Sequence, residues 1–356
     1  MPTTPYLAID LERMQSSIQR VADAASARGI ALRPHAKTHK CVEIGRMQLA
    51  AGAVGLTVAT IGEAEVFAEA GLDDLFLANP LWVDAPRAAR LQALAQRGAN
   101  LALGVDSAAS AERLAAAGLA GRVAVRVEVD SGHHRSGCAP DDAGAVAAAA
   151  ADAGLDVEGV FSFPGHAYAP DARERAARDE ADALGRAAAS LRQAGIEPRV
   201  VSGGSTPSLE AALALDSPLT ELRPGVTVFG DAQQWELGTM PSERIALTAH
   251  ATVVSHAGGR LVLDAGSKVL GADRAPWASG FGRLIDHPDA RIVQLSEHHA
   301  VAELSDALPP LGARVRVVPN HVCNAVNLVD ELQVFAHSGD SEPVDAWRVA
   351  ARGRNG

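Results

Sequence analysis

The segment RPHAKTHK (33–40) sets Lys37 two residues from His35 and two from His39. If this stretch ends a strand, that spacing turns all three side chains to one face. An amine kept from water among cationic or polarisable neighbours adds readily to a carbonyl, so Lys37 is a candidate for Schiff-base formation. The plainer reading is a strand-end lysine in a salt bridge, with histidines that only pack.

Further along, VEVDSGHHRSGC (127–138) places Arg135 just past an apolar run and between glycines. Its guanidinium suits a phenolate or carboxylate, or it is a surface arginine in a turn. Two turns suit a phosphate. SGGST (202–206) offers backbone freedom at Gly203 and Gly204 and hydroxyls on Ser205 and Thr206, and RPG (223–225) lets Gly225 and Val226 present amides. In PNHVC (319–323), His321 and Cys323 would share a face of a strand, spaced to chelate one cation. The alternative there is a buried histidine beside an inert cysteine. His298 and His299 are adjacent, would face opposite ways on a strand, and make a poor joint ligand.

The elements that must position these groups are visible as a rhythm. Eight apolar, β-prone runs occupy 31–39, 54–60, 74–80, 101–106, 122–130, 157–166, 199–205 and 221–230. Amphipathic, Ala-rich stretches such as 61–71, 107–118 and 144–153 separate them. This alternation predicts a (β/α)8 barrel over 1–240, with active groups at the carboxyl ends of its strands. From 241 to 356 the runs are strand-like, with Gly, Pro and Asp punctuation and no convincing helix, which predicts an all-β domain. The first twenty or so residues are expected to pack with that β domain.

The chain has 356 residues, 47% of them hydrophobic and 21% charged, enough for a large core and too ordered in pattern for global disorder. A net charge of −11 argues against nucleic acid, whose phosphates need a basic surface. No signal-like start, no membrane-length apolar run and only three scattered cysteines are present, so a cytoplasmic protein with no membrane partner is expected.

Taken in order, these segments resemble the D-threonine aldolase and eukaryotic-type D-serine dehydratase group. These are fold-type III pyridoxal-phosphate enzymes, related to alanine racemase in the barrel. The resemblance spans nearly the whole chain and is most specific at RPHAKTHK and PNHVC. It implies pyridoxal 5'-phosphate on Lys37 with His35 beside it, and Arg135 at the phenolic oxygen. Ser202, Gly203, Gly204, Ser205 and Thr206, with Gly225 and Val226, would hold the phosphate. Arg223 would face the pyridine nitrogen, and His321 and Cys323 would bind a divalent metal, zinc by softness or manganese. A homodimer is implied as well.

Alanine racemases also use a tyrosine from the second domain. The only tyrosines here are Tyr6 and Tyr168, and neither lies in that domain, so two-base racemization is not expected. A metal on His321 and Cys323 could instead polarise the β-hydroxyl of a D-amino acid. If His166 or Tyr168 of SFPGHAY takes the hydroxyl proton, the Cα–Cβ bond breaks, giving glycine and an aldehyde. If Lys37 takes the Cα proton, hydroxide leaves, giving a keto acid and ammonia. Overall length and short loops look like the aldolase branch, so retro-aldol cleavage of D-threonine is the expected reaction. The GHAY form of 165–168 and Cys323, where some aldolases carry a carboxylate, point to D-serine or 3-hydroxyaspartate dehydration as the alternative, and Phe163 stands where aldolases resembling this chain carry a tyrosine that enters their base assignment. A pyridoxal-phosphate carrier is a third class, disfavoured because such carriers lack a β domain.

Overall fold

The computed structural model describes residues 2–305 and 307–356, and the chain forms two compact units. One comprises Met1–Arg20, Thr38–Ile44 and Val226–Gly353, and the other Val21–Lys37, Gly45–Gly225 and Arg354–Gly356. Strand β1 (Tyr6–Asp10) belongs to the first of these, so Tyr6, expected outside the β domain, lies in the β unit after all, with its hydroxyl 3.0 Å from His250 Nδ1.

The second unit is a parallel barrel. Its strands are β2 (Ala31–Leu32), β3 (Leu56–Val58), β4 (Asp74–Pro80) and β5 (Asn100–Val105). They continue with β6 (Ala124–Glu128), β7 (Asp156–Phe161), β8 (Val200–Gly203) and β9 (Glu221–Leu222). The order β2-β9-β8-β7-β6-β5-β4-β3 is linked end to end by a His35–Thr57 bridge and a bond from the Val54 amide to the Leu32 carbonyl. Each of the eight apolar runs carries one of these strands. Parallel strands covered on both faces read as continuous apolar runs, which is why they stand out in the sequence.

The helices between them start where the sequence caps them. The side chains of Thr60, Asp84 and Ser107 accept amide bonds at the starts of Ile61–Glu69, Ala85–Gln96 and Ala108–Ala116. The Ala-rich segment forms the helix Ala143–Asp152.

A buried ionic network crosses the barrel interior. Glu221 accepts from Arg33 Nε (2.8 Å), Arg126 Nη1 (2.6 Å) and Ser202 Oγ (2.7 Å). Arg33 also pairs with Asp74, and Arg126 with Glu158. Phe76 and Phe161 meet edge to face at 4.9 Å, and the Arg126 guanidinium sits 4.3 Å over Phe76. The interior of this barrel is therefore part apolar and part ionic.

The first unit is mainly antiparallel. After β1 it contains β10 (Leu247–Ser255), β11 (Leu261–Leu263), β12 (Gly282–Leu284) and β13 (His287–Leu295). Then come β14 (Ala300–Glu303), β15 (Arg314–Pro319), β16 (Glu331–Phe335) and β17 (Asp345–Arg348). Their order is β11-β14-β13-β12-β15-β10-β1-β16-β17, with β11 also pairing β10. β1 lies antiparallel to β10 and parallel to β16. Short helices at Ser267–Leu270 and Val322–Val326 were not expected; runs of four and five residues are too brief to show a helical period. Among the described residues no helix is long and apolar enough to cross a membrane.

Candidate active site

Lys37 stands on a 3-10 turn, Ala36–Thr38, and not on a strand. β2 ends at Leu32, and Pro34 cannot donate to a ladder, so the chain leaves the sheet before the lysine. The expected single face of His35, Lys37 and His39 does not form. His35 bridges to Thr57, while His39 is fully buried and its Nδ1 meets the backbone of Cys41 at 3.0–3.1 Å. The half-buried Lys37 instead directs its amine over the Phe163 ring, 5.7 Å from the centroid.

Phe163 gathers the barrel's other candidates. The Arg135 guanidinium lies 5.2 Å over the same ring, with Glu128 3.9 Å away. His133 meets the ring edge-on at 5.5 Å, and Tyr168 lies tilted at 6.2 Å. His133, within the Arg135 segment, is a neighbour that sequence reasoning did not single out. Burial pushes its pKa down, and Arg135 and His166 push the same way. His166 occupies the 3-10 turn Gly165–Ala167 after β7, its Nε2 3.3 Å from Asp179. Its Nδ1 is buried without a partner.

The SGGST turn departs from expectation in detail. The Gly204 amide donates to both oxygens of Glu180 (3.0 and 2.9 Å), and the Ser205 amide donates to Ser208 Oγ (3.1 Å). Ser202 Oγ donates to Glu221 and accepts from Arg223 Nε at 2.8 Å, so it serves the ionic network. Only the Thr206 hydroxyl is buried and unpartnered. Arg223 is buried, also donates to the Ser162 carbonyl, and is pushed down to about 10 by burial, against the pull of Glu221 and Glu180. Gly225 is half-buried, and Val226, in the other unit, opens a 3-10 turn whose first amides have no acceptor within the turn.

Four buried polar atoms without partners, Glu128 Oε2, Ser131 Oγ, His166 Nδ1 and Thr206 Oγ1, belong to the ends of β6, β7 and β8 or the segments that follow them. Such atoms are rare in folded proteins, and the carboxyl ends of barrel strands are where ligands bind. The donor set fits a polar, anionic cofactor near a primary amine.

Glu180 was not singled out in the sequence. It is fully buried, and burial raises it to about 7 despite bonds from Ser162 and Gly204 and the nearby charge of Arg223. The folded state thus binds a proton that an unfolded carboxyl releases near pH 4.5. The stability linked to Glu180 is present below that value and is lost as pH rises through about 7. The variant E180Q is neutral throughout, so its stability relative to the parent should rise by up to ~3 kcal/mol between pH 5 and 8. Denaturant unfolding of the cofactor-free protein at several pH values measures this; a pH-independent difference would show that Glu180 does not titrate in that window.

In the other unit, His321 and Cys323 do not share a strand face. His321 immediately precedes the helix Val322–Val326 without a capping bond of its own, so Cys323 lies in the helix's first turn. The two remain close enough that Cys323 favours the protonated form of His321. His321 Nδ1 lies 2.5 Å from Asp273 Oδ2, and the Cys323 thiol donates to the Thr38 hydroxyl at 3.3 Å. Burial opposes protonation of His321, but Cys323, Asp273 and Asp231 outweigh it and hold its pKa well above the usual value. Buried Asp231 accepts the amides of Val322 (3.2 Å) and Gln234 (2.9 Å), which fixes the turn. Neither Asp273 nor Asp231 carries a local sequence signal. Imidazole backed by a carboxylate, next to a thiol, is a donor set that fits a borderline divalent cation. His298 and His299 are exposed.

The alanine racemase N-terminal domain family matches residues 9–233, and a putative serine dehydratase domain matches 246–335. D-threo-3-hydroxyaspartate dehydratase of Delftia sp. strain HT23 is 36% identical over 97% of this chain and 96% of its own. D-threonine aldolase of Arthrobacter sp. is 34% identical over 98% of this chain and 93% of its own. A solved structure of a D-threo-3-hydroxyaspartate dehydratase mutant in the metal-free form superposes with a TM-score of 0.88 at 34% identity, covering 98% of this chain and 97% of that one.

Proposed function

The chain belongs to the fold-type III pyridoxal-phosphate lyases built on the alanine racemase barrel, and we propose that it cleaves D-β-hydroxy-α-amino acids by a retro-aldol reaction. D-threonine, yielding glycine and acetaldehyde, is the substrate of reference. The D configuration comes from the relatives' names.

Lys37 would anchor pyridoxal phosphate, with Arg135 at its phenolic oxygen and Arg223 at its pyridine nitrogen. Thr206, Gly225 and Val226 would hold the phosphate. The bound cofactor supplies an electron sink that stabilises carbanion character at the substrate's Cα. His321 and Cys323 would hold a divalent cation, which supplies Lewis-acid polarisation of the β-hydroxyl. His plus Cys favours zinc, while open positions taken by oxygen ligands would admit manganese.

One observation carries the retro-aldol reading. Asp179 beside Nε2 favours the His166 tautomer with its proton on Nε2, which leaves the buried Nδ1 lone pair free to take a hydroxyl proton. Retro-aldol cleavage needs a base of this kind that is distinct from Lys37. Tyr168, on the same turn, is the other candidate. Dehydration is the second reading, favoured by the His–Cys donor pair and by the similarity to the Delftia dehydratase; there Lys37 would remove the Cα proton. A homodimer is part of the proposal, and light scattering would test it.

The deciding experiment incubates protein loaded with cofactor and zinc or manganese with D-threonine, D-serine, D-threo-3-hydroxyaspartate and their L-series counterparts, identifying products by mass. Glycine and acetaldehyde from D-threonine alone support the aldolase. Ammonia with a keto acid from D-serine or the hydroxyaspartate replaces it with the dehydratase. Chelation should lower turnover by about a hundredfold or more, with recovery on adding the cation back. Full activity after chelation would remove the metal from the reaction.

A further inference from the structure

Glu180 lies 24 residues before Gly204 in sequence, on the helix Arg173–Gln193, yet its carboxyl is fully buried against the SGGST turn. It accepts the Gly204 amide on both oxygens and the Ser162 hydroxyl on Oε1 at 2.7 Å. A Cβ at position 203 would fall 2.6 Å from Oε1, so the carboxyl needs glycine there. Gly204 adopts a φ of +82°, the left-handed region that glycine tolerates, and its amide is directed to Glu180. Ser208 then fixes the amide and hydroxyl of Ser205, and the Thr206 hydroxyl is left as the buried group without a partner. The two glycines thus fit the turn to Glu180, and the amides of 204 and 205 are committed within the protein.

We propose that Glu180 is a positioning residue that shapes the 203–206 turn for recognition of the cofactor's phosphate. It acts through Gly204 and does not touch the ligand. This rests on the pyridoxal-phosphate reading of the barrel and adds to it a residue outside every motif of that reading. An arrangement made only for core packing would hold the barrel together without distinguishing a phosphorylated ligand from its unphosphorylated form.

That difference supplies the test. The full chain, stripped of cofactor, is titrated with pyridoxal phosphate and with pyridoxal, following the absorbance of the lysine adduct, in the parent, E180A, E180Q and S162A. E180A should weaken pyridoxal phosphate by about tenfold or more and pyridoxal by less than about twofold, since a lost buried acceptor perturbs only the turn. E180Q keeps an oxygen for Gly204 and should stay within about threefold of the parent for both ligands. S162A, which removes one bond to Glu180 and keeps the fold should E180A fail to express, should shift the ratio in the same direction by a few-fold. Equal weakening of both ligands, or none, in E180A and S162A would overturn the inference while leaving the cofactor reading intact. Failure of the parent to bind either ligand would overturn the cofactor reading and this inference with it.

Discussion

Replacing Lys37 with alanine should remove the chromophore and lower turnover by about a thousandfold or more, equivalent to ~4 kcal/mol of transition-state stabilisation. The sequence holds three lysines, and the structure separates them. Lys40 belongs to the β unit and gives its amine to Asn327 at 2.7 Å. Lys268 is exposed and paired with Glu297 at 2.8 Å. Lys37 alone belongs to the barrel unit, half-buried, with its amine over an aromatic ring. A cation over a phenylalanine face contributes about 0.5–1 kcal/mol at a partly exposed site, so K37A should unfold near the parent's midpoint. Loss of chemistry with retention of fold is the signature to seek, by absorbance, product assay and denaturant unfolding together. A K37A protein that still formed an adduct and turned over would move the attachment to another amine and undo the site as described.

The architecture was legible because its signals are local. Eight apolar runs marked eight strands, and the Ala-rich stretches at 61–71, 107–118 and 144–153 each hold a helix. Fine geometry was not legible where a short turn replaced a strand. Spacing by two was read as one face at Lys37 and at His321, but a 3-10 turn and a helix start stand there. Contacts distant in sequence were also hidden. One signal was missed: the buried positions of Arg173–Gln193 run Ala176, Ala177, Glu180, Ala183, Leu184, Ala187, Ala188 and Leu191. Glu180 occupies the apolar stripe of its own helix, a place where a carboxylate needs a partner. Only that periodicity separates Glu180 from Glu174 and Asp179 of the same helix.

Glu221 should prove the most costly single truncation in the barrel, with E221A losing about 3–5 kcal/mol. It is nearly inaccessible, sits on a strand of only two residues, and accepts from Arg33, Arg126 and Ser202, so three elements converge on one carboxylate. Burial alone would raise its pKa, but Arg126 and Arg33 outweigh that and hold it below the usual carboxylate value. Its contribution is therefore present above the ordinary carboxyl pKa and is lost as pH falls through the lowered one. Alanine leaves two buried guanidinium groups with only their outer partners, Asp74 and Glu158, which are themselves 40% and 20% exposed. Residual pairing should keep the loss within the stated range, and the gap between parent and variant should narrow toward pH 3. Ser202 Oγ links Glu221 to Arg223 Nε, so E221A should also weaken pyridoxal-phosphate binding, unlike a substitution on the outer helices. Unfolding midpoints at pH 7 and pH 3, with a cofactor titration, decide the matter. An E221A protein as stable as its parent at pH 7 would mean that the buried ions only offset their own desolvation, and that packing around Phe76 and Phe161 holds the barrel closed.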